Sequence, residues 1–187
     1  YIILAPNGPV MLVYDVLDTL GELSPAEFME KGIGRPPLDV IGLIDPKTLG
    51  YALDQAKAWG IRITTKPLSF FNAGYVSSLH NGILEICLKE GLSNEQNFVV
   101  LIHELAHLYL GHTGHKELHY ATHPKPTKLL LRTMSSTARE LEAETVSHLV
   151  CRTLGLDARS AEYLSGYISC QDDLSNFSFE TVIKTAD

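Results

Sequence analysis

The run Phe98-Val99-Val100-Leu101-Ile102-His103-Glu104-Leu105-Ala106-His107-Leu108-Tyr109-Leu110 constrains this chain more than any other stretch. It is apolar almost all round, the pattern of a helix buried at the centre of a fold rather than laid on its surface. Within it stand three titratable side chains, each costly to desolvate unless a partner or a metal satisfies it. His103 and His107 are four apart and share one helix face, with Glu104 beside the first. In the His-Glu-x-x-His pattern two imidazoles hold one zinc ion and the glutamate serves as general base, activating a water for attack on a carbonyl. The competing reading is a pair of core histidines satisfied by hydrogen bonds. Three polar groups in so apolar a helix favour the metal.

Zinc bound for hydrolysis takes three protein ligands and leaves one position open. A metzincin would need Gly at position 110 and His at 113, where this chain has Leu110 and Thr113, so that class is excluded. A carboxylate from a second helix is the remaining source, and residues 137–150 offer Glu140, Glu142 and Glu144. Stepping about 100° per residue groups Ala138, Leu141, Val146, Leu149 and Val150 into one stripe that contains Glu142, and turns Glu140 and Glu144 to the opposite side. A lone carboxylate on a core-facing stripe is unstable unless paired, protonated or coordinated. Glu142 is therefore the expected third ligand. The alternative is that Glu142 pairs with Arg139 or Arg132 and another of the glutamates binds.

Two further features near the motif are less decisive. His112, His115, His119 and His123 follow Gly111 at irregular spacing in a stretch with Gly114 and Pro124, which reads as a loop by the cleft offering at most one substrate-facing imidazole. Peptide hydrolysis also needs an oxyanion stabiliser. Tyr75, His80, His112, Tyr163 and Tyr167 are candidates that the sequence does not rank.

Length and charge narrow the class. The 187 residues, 45% hydrophobic, suffice for one core, so a single domain over residues 1–187 is expected. A net charge of -7 argues against nucleic-acid binding by bulk electrostatics. Cys87, Cys151 and Cys170 are odd in number and widely spaced, which suits buried thiols in a reducing cytoplasm better than a disulfide frame. No apolar run approaches the roughly 20 residues of a membrane span, so a soluble cytoplasmic protein without membrane partners is expected. The chain opens on Tyr1 in what reads as mid-strand, as a fragment lacking an upstream region would.

Along the chain, Ile2-Leu4 and Val10-Tyr14 read as strands around the turn Pro6-Asn7-Gly8-Pro9, and Ser24-Pro25-Ala26-Glu27 as a helix start. Residues 31–37, with two glycines and two prolines, are the one plausible internal linker, too short to divide the domain. Asp45-Pro46 opens a helix with apolar positions Leu49, Ala52, Leu53, Ala56 and Trp59, stopped by Gly60, and Ile61-Arg62-Ile63 follows as a strand. Residues 74–79 and 83–88 flank His80-Asn81-Gly82 as a hairpin whose edge strand could pair with an extended peptide. Ser93-Asn94-Glu95-Gln96 is a capping box launching the His103 helix. Gly155 ends the Glu142 helix, Asp157 caps another, and the tail from Phe177 starts a last one.

In sum the fold class is α+β: a small mixed or antiparallel sheet with a hairpin packed on the motif helix, and a second helix bearing glutamates. The His103-Glu104-Leu105-Ala106-His107 helix after a hairpin, followed by a Glu-Ala-Glu helix, resembles the ImmA/IrrE family of zincin-like metallopeptidases. A closer likeness is to the C-terminal domain of ArdC-type antirestriction proteins. It rests on Ile3-Leu4-Ala5-Pro6, on Tyr14-Asp15-Val16 before Thr19 and Gly21, and on Arg139-Glu140-Leu141-Glu142-Ala143-Glu144 leading to Cys151-Arg152-Thr153-Leu154-Gly155-Leu156. The resemblance implies a zinc metallopeptidase domain with His103, His107 and Glu142 as ligands and Glu104 as base, acting on a protein substrate. It also implies an upstream domain that binds single-stranded DNA. The rival expectation is a metal-stabilised binding module that blocks its partner without cleaving it.

Overall fold

The structure, a computed structural model, describes residues 2–4, 10–12, 38–68, 72–79, 83–115, 117–118, 127–129, 131–132, 134–158 and 176–187. The chain divides into two compact units, Tyr1–Pro37 and Leu38–Asp187. The division falls at the end of the Gly- and Pro-rich stretch that was read as a linker. In the first unit β1 (Ile2–Leu4) pairs antiparallel with β2 (Val10–Leu12), in the register Ile2 to Leu12 and Leu4 to Val10.

The second unit is α+β. Its helix α1 (Pro46–Ala58) starts where the Asp45 carboxylate accepts the Lys47 N–H and Pro46 occupies the first turn. That cap satisfies one backbone donor the helix leaves unpaired, and proline has no such donor to lose. Gly60, at φ 75°, reverses the chain into β3 (Arg62–Lys66). Strands β4 (Gly74–Ser78) and β5 (Leu84–Lys89) form the expected hairpin, antiparallel, with Val76 opposite Ile86. The tip at residues 80–82 lies outside the described residues. Strand β3 lies parallel to β5 on its other side, so the sheet is mixed, in the order β3-β5-β4, with β5 central and, among the described residues, β4 at an edge.

Helix α2 (Asn94–Tyr109) carries the motif. The Ser93 hydroxyl accepts the Gln96 N–H while the Gln96 side chain accepts the Ser93 N–H, the reciprocal cap its sequence announced. One flank of α2 packs into a core with Leu84, Ile86 and Leu88 of β5 and Leu49 and Ala56 of α1. The other flank, through Ala106 and Leu110, packs with Ala143 and Val146 of α3 (Ser136–Thr153) and Val182 of α4 (Phe179–Ala186). Both flanks of the central helix are thus dry. Short strands β6 (Glu117–Leu118) and β7 (Thr127–Lys128) pair antiparallel after it, within the stretch read as a loop. Asp157 exchanges backbone hydrogen bonds with Ile41, and the helix it is expected to cap falls within residues 159–175, outside the described residues. Among the described residues no helix is long and apolar enough to cross a membrane.

Strand β4 presses closely on α2 because of one residue. A Cβ at Gly74 would lie 2.5 Å from Cγ1 of Val100 and 3.0 Å from the carbonyl oxygen of Cys87. No side chain fits there. Lys89 N–H donates to Ala73 and Leu79 N–H to Ile83, so the backbone of Gly74, Val76 and Ser78 turns away from β5 toward the free edge.

Candidate metal centre

Helix geometry brings His103 and His107 together as their spacing requires, with Nε2 atoms 3.1 Å apart. Glu140 of α3 completes the group: its Oε2 is 3.4 Å from His103 Nε2 and its Oε1 3.5 Å from His107 Nε2. A tetrahedral zinc site with bonds of about 2.0–2.1 Å has ligand atoms about 3.3–3.4 Å apart, so the two nitrogens and the Glu140 carboxylate, which offers one oxygen to each, stand close to the separations one ion would demand. Among the described residues, His103, His107 and Glu140 form a group able to hold a metal ion.

Glu142, the carboxylate expected here, is elsewhere. It is fully buried, as the stripe argument required, but it accepts hydrogen bonds from Arg132 Nη1, from the Ser178 N–H at 2.7 Å and from His112 Nε2 at 3.2 Å. The alternative pairing with Arg132 is the one realised. Helix α3 has two covered faces rather than the one that would single out Glu142. Glu140, Glu144, Ser147 and Cys151, at positions i, i+4, i+7 and i+11, run along a second covered face against α2, where the Ser147 hydroxyl donates to the Val99 carbonyl. Ser147 and Cys151 are fully buried there, while Leu149 of the expected stripe is exposed.

The two histidines are each held from behind. His103 Nδ1 lies 3.0 Å from Glu144 Oε2. An ionised carboxylate only accepts, so Nδ1 carries a proton, and Nε2, which faces Glu140, is the nitrogen that would release its hydrogen to make room for an ion. His107 Nδ1 lies 3.1 Å from Nδ1 of His112, whose ring is buried where a loop imidazole open to substrate was expected. Gly111, at φ 76°, folds the chain back after α2 and brings His112 against the last turn.

No family model, curated protein or solved structure matches this chain.

The electrostatics of the group favour a cation. Burial opposes protonation of His103, yet hydrogen bonds to Glu140 and Glu144 raise its pKa to about 10. Burial likewise opposes ionisation of Glu140, but the two imidazoles hold its carboxyl well below the usual range. Glu104 is buried, and burial pushes its carboxyl up against the pull of His103 and His107. The Val76 N–H of the neighbouring strand faces it and works in the same direction as the two imidazoles. A carboxylate raised toward neutrality beside a cation site is placed for proton transfer. Of the oxyanion candidates, Tyr75 lies on β4 with its hydroxyl 3.5 Å from Lys66 Nζ, and His112 is committed to His107 and Glu142. His80, Tyr163 and Tyr167 lie outside the described residues, as do His119 and His123.

Proposed function

We propose that this chain is a zinc-dependent metallopeptidase domain acting on a protein substrate, with His103, His107 and Glu140 as ligands and Glu104 as general base. The observation that carries the reading is the convergence of two imidazole nitrogens and one carboxylate at near-tetrahedral spacing beside a buried glutamate. The donor set of nitrogen and oxygen suits zinc. When bound, the ion would acidify water toward a pKa of about 7 and polarise a substrate carbonyl. Glu104 takes the proton from the attacking water and returns it to the leaving amine. The outward-facing backbone of β4, whose Gly74 N–H is taken by Asn72 and whose Val76 N–H faces Glu104, offers an extended peptide its carbonyl groups alongside that base. Resemblance of the motif helix and the Glu-Ala-Glu helix to ImmA/IrrE and ArdC-type domains supports a protein substrate, of antirestriction or repressor-cleaving type.

Glu104→Gln tests the reading. It is expected to keep about one zinc per chain by elemental analysis while peptide hydrolysis falls by at least about 100-fold, since positioned acid-base groups contribute about 10²–10⁴-fold. Zinc bound but hydrolysis unchanged by the substitution would sink the proposed role of Glu104. A biological effect on a partner that survives the substitution would favour a metal-stabilised binding module instead.

A further inference from the structure

Glu142 is separated from the metal group by one ring, His112, yet the hydrogen bonds through it determine which nitrogen of His107 carries its proton. The carboxylate sits in a fully buried pocket with its charge already matched by Arg132, which also donates to the Asn176 carbonyl. Its Oε2 faces His112 Nε2 and can only accept, so that nitrogen must carry a hydrogen. In a neutral imidazole the other nitrogen is then bare. Nδ1 of His112 is thus an acceptor, and the group 3.1 Å from it, Nδ1 of His107, must be the donor. His107 is left with a bare Nε2, directed at His103 Nε2 and Glu140. The opposite tautomer would set a hydrogen where the ion must bind.

We propose that His112 and Glu142 are positioning residues for His107, a carboxylate-imidazole chain that fixes the tautomer and ring orientation of a metal ligand from the side facing α4. The proposal rests on the metal-centre reading above. His103 receives the same service directly from Glu144, across 3.0 Å. His107 receives it through an intervening ring because Ala143 and Val146 of α3 pack against Ala106 and Leu110 on that side. Outer hydrogen-bond partners of metal-bound histidines contribute about 10–100-fold to metal affinity.

The test compares two substitutions at one position. In His112→Asn the side-chain oxygen falls near the place of Nδ1 and still accepts the His107 N–H. His112→Phe keeps the ring and loses the acceptor. Zinc affinity, measured by competition with a chelator, is expected to drop about 10–100-fold in the phenylalanine variant and to stay within about threefold of the parent in the asparagine variant. Nitrogen NMR of the histidine rings in the parent is expected to show His107 protonated at Nδ1. If the phenylalanine variant does not fold, His112→Gln, which directs its amide toward Glu142 rather than His107, takes its place. Equal affinity in all variants, with the parent binding zinc, overturns this proposal alone, as does an equal loss in both, which a merely structural role would give. A parent chain that takes up no zinc overturns the metal-centre reading and this proposal with it.

Discussion

Glu140 and Glu142 are the same residue type, two positions apart on one helix, and their surroundings give them opposite tasks. Glu140 remains about one-third exposed and faces two imidazole nitrogens across a gap that an ion would fill. Glu142 is fully buried and saturated by an arginine, a backbone N–H and a histidine. A site meant to bind something leaves its carboxylate with acceptor capacity to spare, whereas one meant to hold the fold together spends all of it. Burial alone therefore points to the glutamate that the fold has already paired.

Exchange of each for alanine should separate the two roles. Glu142→Ala leaves Arg132 facing a buried void, and breaking such a pair costs about 3–5 kcal/mol. Urea unfolding of the metal-free protein should show a loss of that size; a loss under about 1 kcal/mol would remove the contrast. Glu140→Ala should reverse the pattern. The metal-free protein should keep its stability to within about 1 kcal/mol, while zinc affinity falls by more than the roughly 100-fold expected for an outer partner. Retention of zinc by that variant would return the third ligand to another residue.

Acid should act on the pair through Glu142. Burial works to raise its carboxyl, but His112, Arg132 and the Ser178 N–H together lower it below the ordinary value of 4.5. A depressed folded-state pKa contributes stability that is complete above the unfolded value and is lost as pH falls through the folded one. The metal-free parent should therefore lose more stability below pH 4.5 than Glu142→Ala does, by equilibrium unfolding at matched pH values. Parallel curves would contradict this. The smallest expected effect lies further along the Glu140 face. Burial pushes the Cys151 thiol up to about 11, so iodoacetamide at pH 8 should leave it unmodified in the native chain and label it only in denaturant, as read by peptide mass spectrometry.

Much of the fold is written in local chemistry. Asp45-Pro46, the Ser93 to Gln96 box, Gly60, Gly155 and the strands around Asn81-Gly82 each depend on neighbours in sequence, and the elements they announce are present. The pairing of His103 with His107 was legible for the same reason, since one helical turn fixes it. The choice among three glutamates was not, because it depends on what packs on each side of α3. Ser147 and Cys151 were the available signal: small residues in step with Glu140 and Glu144 mark a face where another helix comes close. His112 was masked by its company, since three other histidines in the same stretch made it look like part of a loop. Its place immediately after Gly111, one turn beyond His107, was the clue. The parallel pairing of β3 with β5 joins residues more than twenty apart and has no local signature at all.

Gly74 gives the contact between β4 and α2 a tolerance set by a missing atom. Any side chain there would meet Val100 on α2 and the carbonyl of Cys87 on β5 at once, so strand and helix would have to part. The Val76 N–H that now reaches Glu104 travels with that strand. A single added methyl group, on a residue that touches no ligand and bears no charge, would thus widen the gap between the ladder that would receive a substrate and the carboxylate that would act on it.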